Sequence, residues 1–285
     1  FFMQLGTHRP HPPLDPPPSY LRLYENKQLA PVPVGDWAGL RRRPARKVDD
    51  KFGYLDPRAL ERTRKAYYAL CSHADYQLGK LIHWLRRSKL LENTVVLFMA
   101  DHGELLGDHN LFSKISPFEA SAKVPLVYWS KDLKQPGRQI ESPVAHMDIM
   151  PTLLDVAGIP VPPQIEGRSL LPLIRGERQG WRRYLHGEHA PGEGSESGWQ
   201  FLTDGKEKYI WDSATGRELY FDLEEDPREL QNLVDAPSRR ESVERWRDLL
   251  AKELWQRGDT GLSDGTELIP GKTLPAVRPW LLEQE

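Results

Sequence analysis

One stretch limits the possible folds of this chain more than any other: Thr94-Val95-Val96-Leu97-Phe98-Met99-Ala100, which ends on Asp101-His102-Gly103. A half-exposed strand would alternate apolar and polar residues, whereas an unbroken apolar, β-branched run of this length reads as a central parallel strand covered on both faces. Asp101 then lies at the carboxyl end of that strand. The flanking segments supply helices. From Pro57, Leu60, Tyr67, Leu70, Leu78, Leu81, Ile82 and Leu85 fall near a 3.6-residue period. Downstream, Val124 to Trp129 reads as a second strand and Asp148 to Gly158 as a helix closed by glycine.

Beyond about Arg175 the texture changes to short strand-like pieces, Trp199 to Thr203, Lys208 to Trp211 and Glu218 to Asp222. Asp204-Gly205 and Thr215-Gly216 between them are hairpin signals. A charged amphipathic helix is expected around Ser238 to Glu253. The expected fold is therefore α/β: part of a mostly parallel central sheet flanked by helices, with a smaller C-terminal antiparallel sheet plus helix. Residues 1–180 would form the α/β layer, and 181–285 a small α+β subdomain and tail.

The opening run Phe1-Phe2-Met3-Gln4-Leu5 reads as a buried strand already under way, so a preceding segment is expected. Pro10 to Pro18 is too rich in proline for helix or central strand, and makes a stiff extended loop. The basic stretch from about Asn26 to Asp56 reads as a surface excursion with Gly35-Asp36-Trp37 as its anchor. Lys and Arg number 39 against 41 Asp and Glu, a net charge of −2. That balance supports neither a nucleic-acid nor a membrane surface, so any anion must be captured locally. The single cysteine, Cys71, excludes an internal disulfide framework and reads as an ordinary buried residue of a helix.

Ligands of open α/β sheets gather outside the carboxyl ends of the strands, where Asp101-His102-Gly103-Glu104 emerges. A carboxylate and an imidazole side by side can reach one divalent cation, and Gly103 lets the backbone approach closely. Further along, His109 could donate to a substrate or leaving-group oxygen, and Lys114 offers a compact charge with three donors to an oxyanion. His8 and His11 sit in the proline-stiffened loop, where a rigidly held imidazole is suited to proton donation.

Taken together, Phe1 to Pro13, Tyr67 to Gly79, Asn93 to Tyr128, His146 to Leu173 and Lys208 to Leu233 resemble the sulfatase family of the alkaline phosphatase superfamily, in its arylsulfatase-like branch. The run Asp101-His102-Gly103-Glu104-Leu105-Leu106-Gly107-Asp108-His109 with Lys114 and Val124-Pro125 carries the resemblance. It implies sulfuric ester hydrolysis, with Asp101 and His102 as ligands of a divalent cation, usually calcium, and Lys114 and His11 on the sulfate. His186-Gly187-Glu188-His189 is similar to a segment of related arylsulfatases, which implies Glu188 and His189 as substrate-lining residues. On the residues alone the same segment reads equally as a polar strand edge. Asp36, Trp37 and His73 read as structural.

The family's nucleophile is a formylglycine made from Cys or Ser in a Cys/Ser-x-Pro-x-Arg motif, and no such motif is present. Cys71 is followed by Ser72-His73-Ala74, and the family's early Asp-Asp pair is absent too. The expectation is a fragment, a processed subunit or a truncated gene product, whose partner is its own N-terminal segment and whose substrate is an aryl or carbohydrate sulfate. His102 stands where many sulfatases have Asn, and nitrogen ligation is less typical of calcium. Calcium is expected first, with manganese or magnesium behind it. Two other functions stay open: phosphonate monoester or phosphodiester hydrolysis, and noncatalytic binding. The compartment is open as well, the resemblance being compatible with a periplasmic or secreted protein.

Overall fold

The computed structural model describes residues 1–38, 55–189, 198–258 and 261–271. It separates into two compact units. The first comprises Phe1–Val34, Ala38–Lys114 and Lys123–Leu133. The second comprises Gly35–Trp37, Ile115–Ala122 and Lys134–Glu285.

In the first unit, helix α1 runs from Pro57 to Arg87. Its start is doubly specified: Pro57 occupies the first turn, where its missing N–H costs nothing, and the Asp56 carboxylate accepts the amides of Arg58 and Ala59 at 3.0 and 3.2 Å. Arg86 and Arg87 in the last turn suit the negative end of the helix dipole. Thr63, Ala69, Leu70 and Leu85 are its buried residues. Tyr24 and Ser72 share a 2.7 Å hydroxyl hydrogen bond that ties the N-terminal region to α1. Cys71 is half-buried on this helix, and burial pushes its thiol up, against a weaker opposing hydrogen bond from Tyr67.

The apolar run does form a strand, β1 (Val96–Met99), but its partner β2 (Leu126–Trp129) is antiparallel, with Val96 opposite Trp129 and Met99 opposite Leu126. A continuous apolar run reports burial and says nothing of the direction of a particular neighbour. Nor is the pair covered on both faces: Phe98 is 43% and Val127 54% exposed. The expected strand at Phe1 to Leu5 is also absent among the described residues. Strand backbone needs a neighbour to take up its hydrogen bonds. Here the segment forms no strand, and Phe1 is 85% exposed.

The second unit contains helices α2 (Ile149–Val156) and α3 (Leu171–Arg175). It also holds a four-stranded antiparallel sheet of β3 (Leu185–His189), β4 (Trp199–Thr203), β5 (Glu207–Asp212) and β6 (Glu218–Asp222), in that spatial order. The expected hairpins are present, and Gly205 and Gly216 sit at φ +90° and +73°, which the tight turns require. Helix α4 (Arg240–Arg257) lays Val243, Trp246, Leu250 and Leu254 on Leu202, Tyr209, Trp211 and Tyr220 of the sheet to make the core. Gly35-Asp36-Trp37 does anchor its stretch. The Asp36 amide donates to the Leu230 carbonyl at 2.9 Å, the Trp37 indole N–H donates to the Glu229 carbonyl at 2.7 Å, and the indole stacks on Phe118 at 4.5 Å. The part of the basic excursion in residues 39–54 lies outside the described residues.

Buried charge in this unit is satisfied. Asp148, fully buried, is clasped by the Arg182 guanidinium and accepts the amides of Ala145 and Arg168. Lys208 donates to Glu119, Glu229 and the Pro117 carbonyl. No helix among the described residues is long and apolar enough to cross a membrane.

Candidate active site

The first unit brings together four of the residues singled out in the sequence. His11 leaves the proline loop, which Arg9 braces by donating to the carbonyls of His11 and Pro13 and by pairing with Asp15 at 2.5 Å. Lys114 follows the loop after β1, and its Nζ meets His11 Nε2 at 2.8 Å, across 103 positions of sequence. An ammonium can only donate, so Nε2 is the acceptor. The other ring nitrogen, Nδ1, lies 3.0 Å from the Pro12 carbonyl oxygen and must be its donor. His11 is thereby held as the Nδ1–H tautomer with a lone pair toward Lys114. His8 and His102 flank His11, with ring centroids 5.0 and 6.0 Å away.

At the end of β1, Asp101 is 86% exposed and presents its carboxylate beside His102, with Oδ2 3.6 Å from Nε2. His102 Nδ1 donates to the Gly103 carbonyl at 2.8 Å, which directs the second ring nitrogen away from the backbone. In the neutral ring that nitrogen and the carboxylate are two acceptors facing each other, a pairing that an electropositive centre would relieve. Oxygen and nitrogen at this separation fit two ligands of one divalent cation. Among the described residues no group of three or more potential metal ligands occurs.

His109 sits elsewhere in the same loop, in left-handed conformation and 4% exposed, its amide donating to the Pro33 carbonyl at 2.8 Å. A cavity of about 960 Å³ opens beside His11, with Pro13, Leu14, Tyr67, Leu106 and Phe112 in its mostly apolar wall. Glu104, quoted in the sequence motif without a role, takes a definite place. Its Oε1 accepts the amides of Ser113 at 2.5 Å and Leu106 at 3.3 Å. Only its position in the motif could have flagged it, since the contact joins residues nine apart.

Glu188 and His189 belong to the second unit, on β3 at the edge of its sheet. Burial alone would raise the Glu188 carboxyl, but the Arg257 guanidinium at 2.8 Å outweighs it and holds the carboxyl below the usual glutamate range. His186 beside them donates from Nε2 to the Gln200 side-chain oxygen at 2.7 Å, and burial pushes its ring down.

Residues 1–159 match the family described as Sulfatase, and residues 107–256 match N-sulphoglucosamine sulphohydrolase, C-terminal. An arylsulfatase of Clostridium perfringens is 40% identical over 283 residues, which cover 98% of this chain and 58% of the relative. Solved structures are similar as well, among them two at more than 25% identity. BT4656, in complex with its substrate D-glucosamine-2-N,6-O-disulfate, matches with a TM-score of 0.61 at 26% identity over 71% of this chain and 42% of its own. A phosphonate monoester hydrolase of Agrobacterium radiobacter matches with a TM-score of 0.60 at 27% identity over 74% and 45%. The chain thus spans little more than half the length of the arylsulfatase, and less than half of either structure.

Proposed function

The chain belongs to the sulfatase family, and we propose that it supplies one half of a metal-assisted site that hydrolyses sulfate esters in the complete protein. The observation that carries this reading is the 2.8 Å contact of Lys114 with His11. The lysine spends one of its three donors on His11 Nε2 and has two left for the oxygens of a sulfate group. When the ester alcohol departs, the proton on the Lys114–His11 axis is the one available to the leaving oxygen. His109 is assigned to the same oxygen by its place in the motif alone, as a donor.

Asp101 and His102 would hold the divalent cation, calcium first, then manganese or magnesium. A bound cation would polarise the ester oxygens as a Lewis acid. The nucleophile, a formylglycine, and further metal ligands would come from a preceding segment of the complete protein. Glu188 and His189 are proposed to line the path of the alcohol portion. Their test is a shift in KM between aryl and carbohydrate sulfates when each is replaced by alanine.

Phosphonate monoester hydrolysis is the second reading. It is supported by His102 in place of Asn and by the similarity to the Agrobacterium radiobacter enzyme. Kinetics of the complete protein on an aryl sulfate and an aryl phosphonate decide between the two. The sulfate should be preferred, and His11→Ala and Lys114→Ala should each lower kcat/KM by on the order of 10²-fold. Wild-type kinetics in both variants would show the reading to be wrong.

A further inference from the structure

Lys114 hangs from a loop whose backbone conformation is unfavourable at several points. Leu106, His109, Asn110 and Ser113 all carry side chains at positive φ (47°, 55°, 60° and 67°), with Gly107 at 97° between them. Such conformations persist only where surrounding contacts over-determine them. Two backbone bonds close the loop, from the Leu105 amide to the Ser113 carbonyl at 3.0 Å and from the Gly107 amide to the Leu111 carbonyl at 2.8 Å. One side chain closes it again. Glu104 Oε1 accepts both the Leu106 amide, where the left-handed run begins, and the Ser113 amide, the last before Lys114.

We infer that Glu104 is a positioning residue for Lys114: a single carboxylate oxygen, bridging the amides of Leu106 and Ser113, fixes the backbone from which the lysine reaches His11. The inference rests on the reading of Lys114 as the sulfate-binding cation. Its physical basis is reach. Ser113 adjoins Lys114, so a shift of its amide moves the Lys114 Cα and swings Nζ away from His11 Nε2. The competing role for a carboxylate two positions from His102 is charge, as a further ligand of a cation. The two roles call for opposite substitutions. Glu104→Asp keeps the charge and withdraws the oxygen by one methylene, whereas Glu104→Gln drops the charge and keeps an acceptor oxygen at the same reach.

The experiment measures kcat/KM on an aryl sulfate and the inhibition constant of inorganic sulfate in the complete protein. The variants are E104D, E104Q, K114A and the double variant E104D/K114A, with hydrogen exchange of the Ser113 amide alongside. E104D should lose on the order of 10²-fold in kcat/KM, the scale of a misplacement of about 1 Å, and bind sulfate more weakly. Its Ser113 amide should exchange faster. E104Q should stay close to wild type in all three, and E104D should cost nothing further once Lys114 is alanine. E104Q as damaged as E104D, or E104D harmless, would overturn the inference. So would an equal E104D penalty with and without Lys114. If E104D fails to fold, E104Q decides alone, a loss beyond tenfold counting against it. K114A at wild-type activity and sulfate affinity would instead remove the reading of Lys114 beneath it.

Discussion

Two lysines, one in each unit, show how differently this chain uses the same side chain. Lys208 is 1% exposed and spends its donors on three oxygens: Glu119 at 2.7 Å, the Pro117 carbonyl at 2.8 Å and Glu229 at 2.9 Å. Lys114 is half-buried and meets His11 Nε2 alone among the described residues. An ammonium has three N–H bonds, so the first is chemically closed and the second has capacity for a ligand. Asp148 and Asp101 repeat the contrast for carboxylates. Asp148 is fully buried with arginine and amide partners, while Asp101 is 86% exposed beside His102. Charges that build the fold are fully partnered, and charges at the candidate site are left partly unspent.

The largest effect should come from breaking the closed set. Lys208→Met leaves Glu119 and Glu229 facing each other without their cation, and removing one partner of a buried pair typically costs about 3–5 kcal/mol. Equilibrium urea denaturation reads this directly, and a loss near zero would mean that a fully partnered lysine is no guide to structural use.

At the open set the effect should fall on ligand binding instead. Asp101→Ala and His102→Ala in the complete protein should each weaken calcium or manganese binding by tenfold or more in calorimetry, since a lost ligand leaves the shell incomplete. Thermal stability should change within the ~0.5 kcal/mol usual for surface substitutions. Unchanged metal affinity in both variants would remove these residues from the site.

A smaller effect sharpens the comparison through pH. Burial alone would raise the Glu218 carboxyl, but hydrogen bonds from Arg247 and Tyr209 more than offset it and hold it below the usual glutamate range. A folded-state pKa below the unfolded one contributes stability above the unfolded value, near ~4.3, which is lost as pH falls through the folded one. Glu229 has the opposite sign: burial raises its carboxyl despite Lys208, so its ionisation opposes folding as pH rises. Arg247→Met should therefore flatten the acid limb of the stability curve, and Glu229→Gln should not. Identical acid limbs for wild type and Arg247→Met would contradict the assignment.

How far the sequence reveals these features depends on how local the signal is. Helix α1, the hairpins at Gly205 and Gly216 and the placement of Asp101 after β1 are legible because capping, turn chemistry and apolar runs act within a few residues. The antiparallel pairing of β1 with β2 is not, because Val96 and Trp129 choose each other through tertiary structure. His11 and Lys114 can each be nominated from their own loops and from the family resemblance, but their meeting cannot, since 103 positions separate them. The Lys208 set was missed altogether. Its partners lie 91 and 21 positions away at Pro117 and Glu229, and a lysine inside a strand otherwise reads as solvated. Phe1 to Leu5 misled because apolarity without a pairing partner does not make a strand.

Lys114 is proposed as a functional charge with donors to spare. The most direct test of that role compares Lys114→Ala with wild type in one protein preparation, by inorganic sulfate affinity and by urea stability together. Sulfate affinity should be lower by at least about tenfold, with stability changed by less than about 1 kcal/mol because the pair with His11 is half-exposed. Unchanged sulfate affinity with a stability loss on the scale of Lys208→Met would contradict that role.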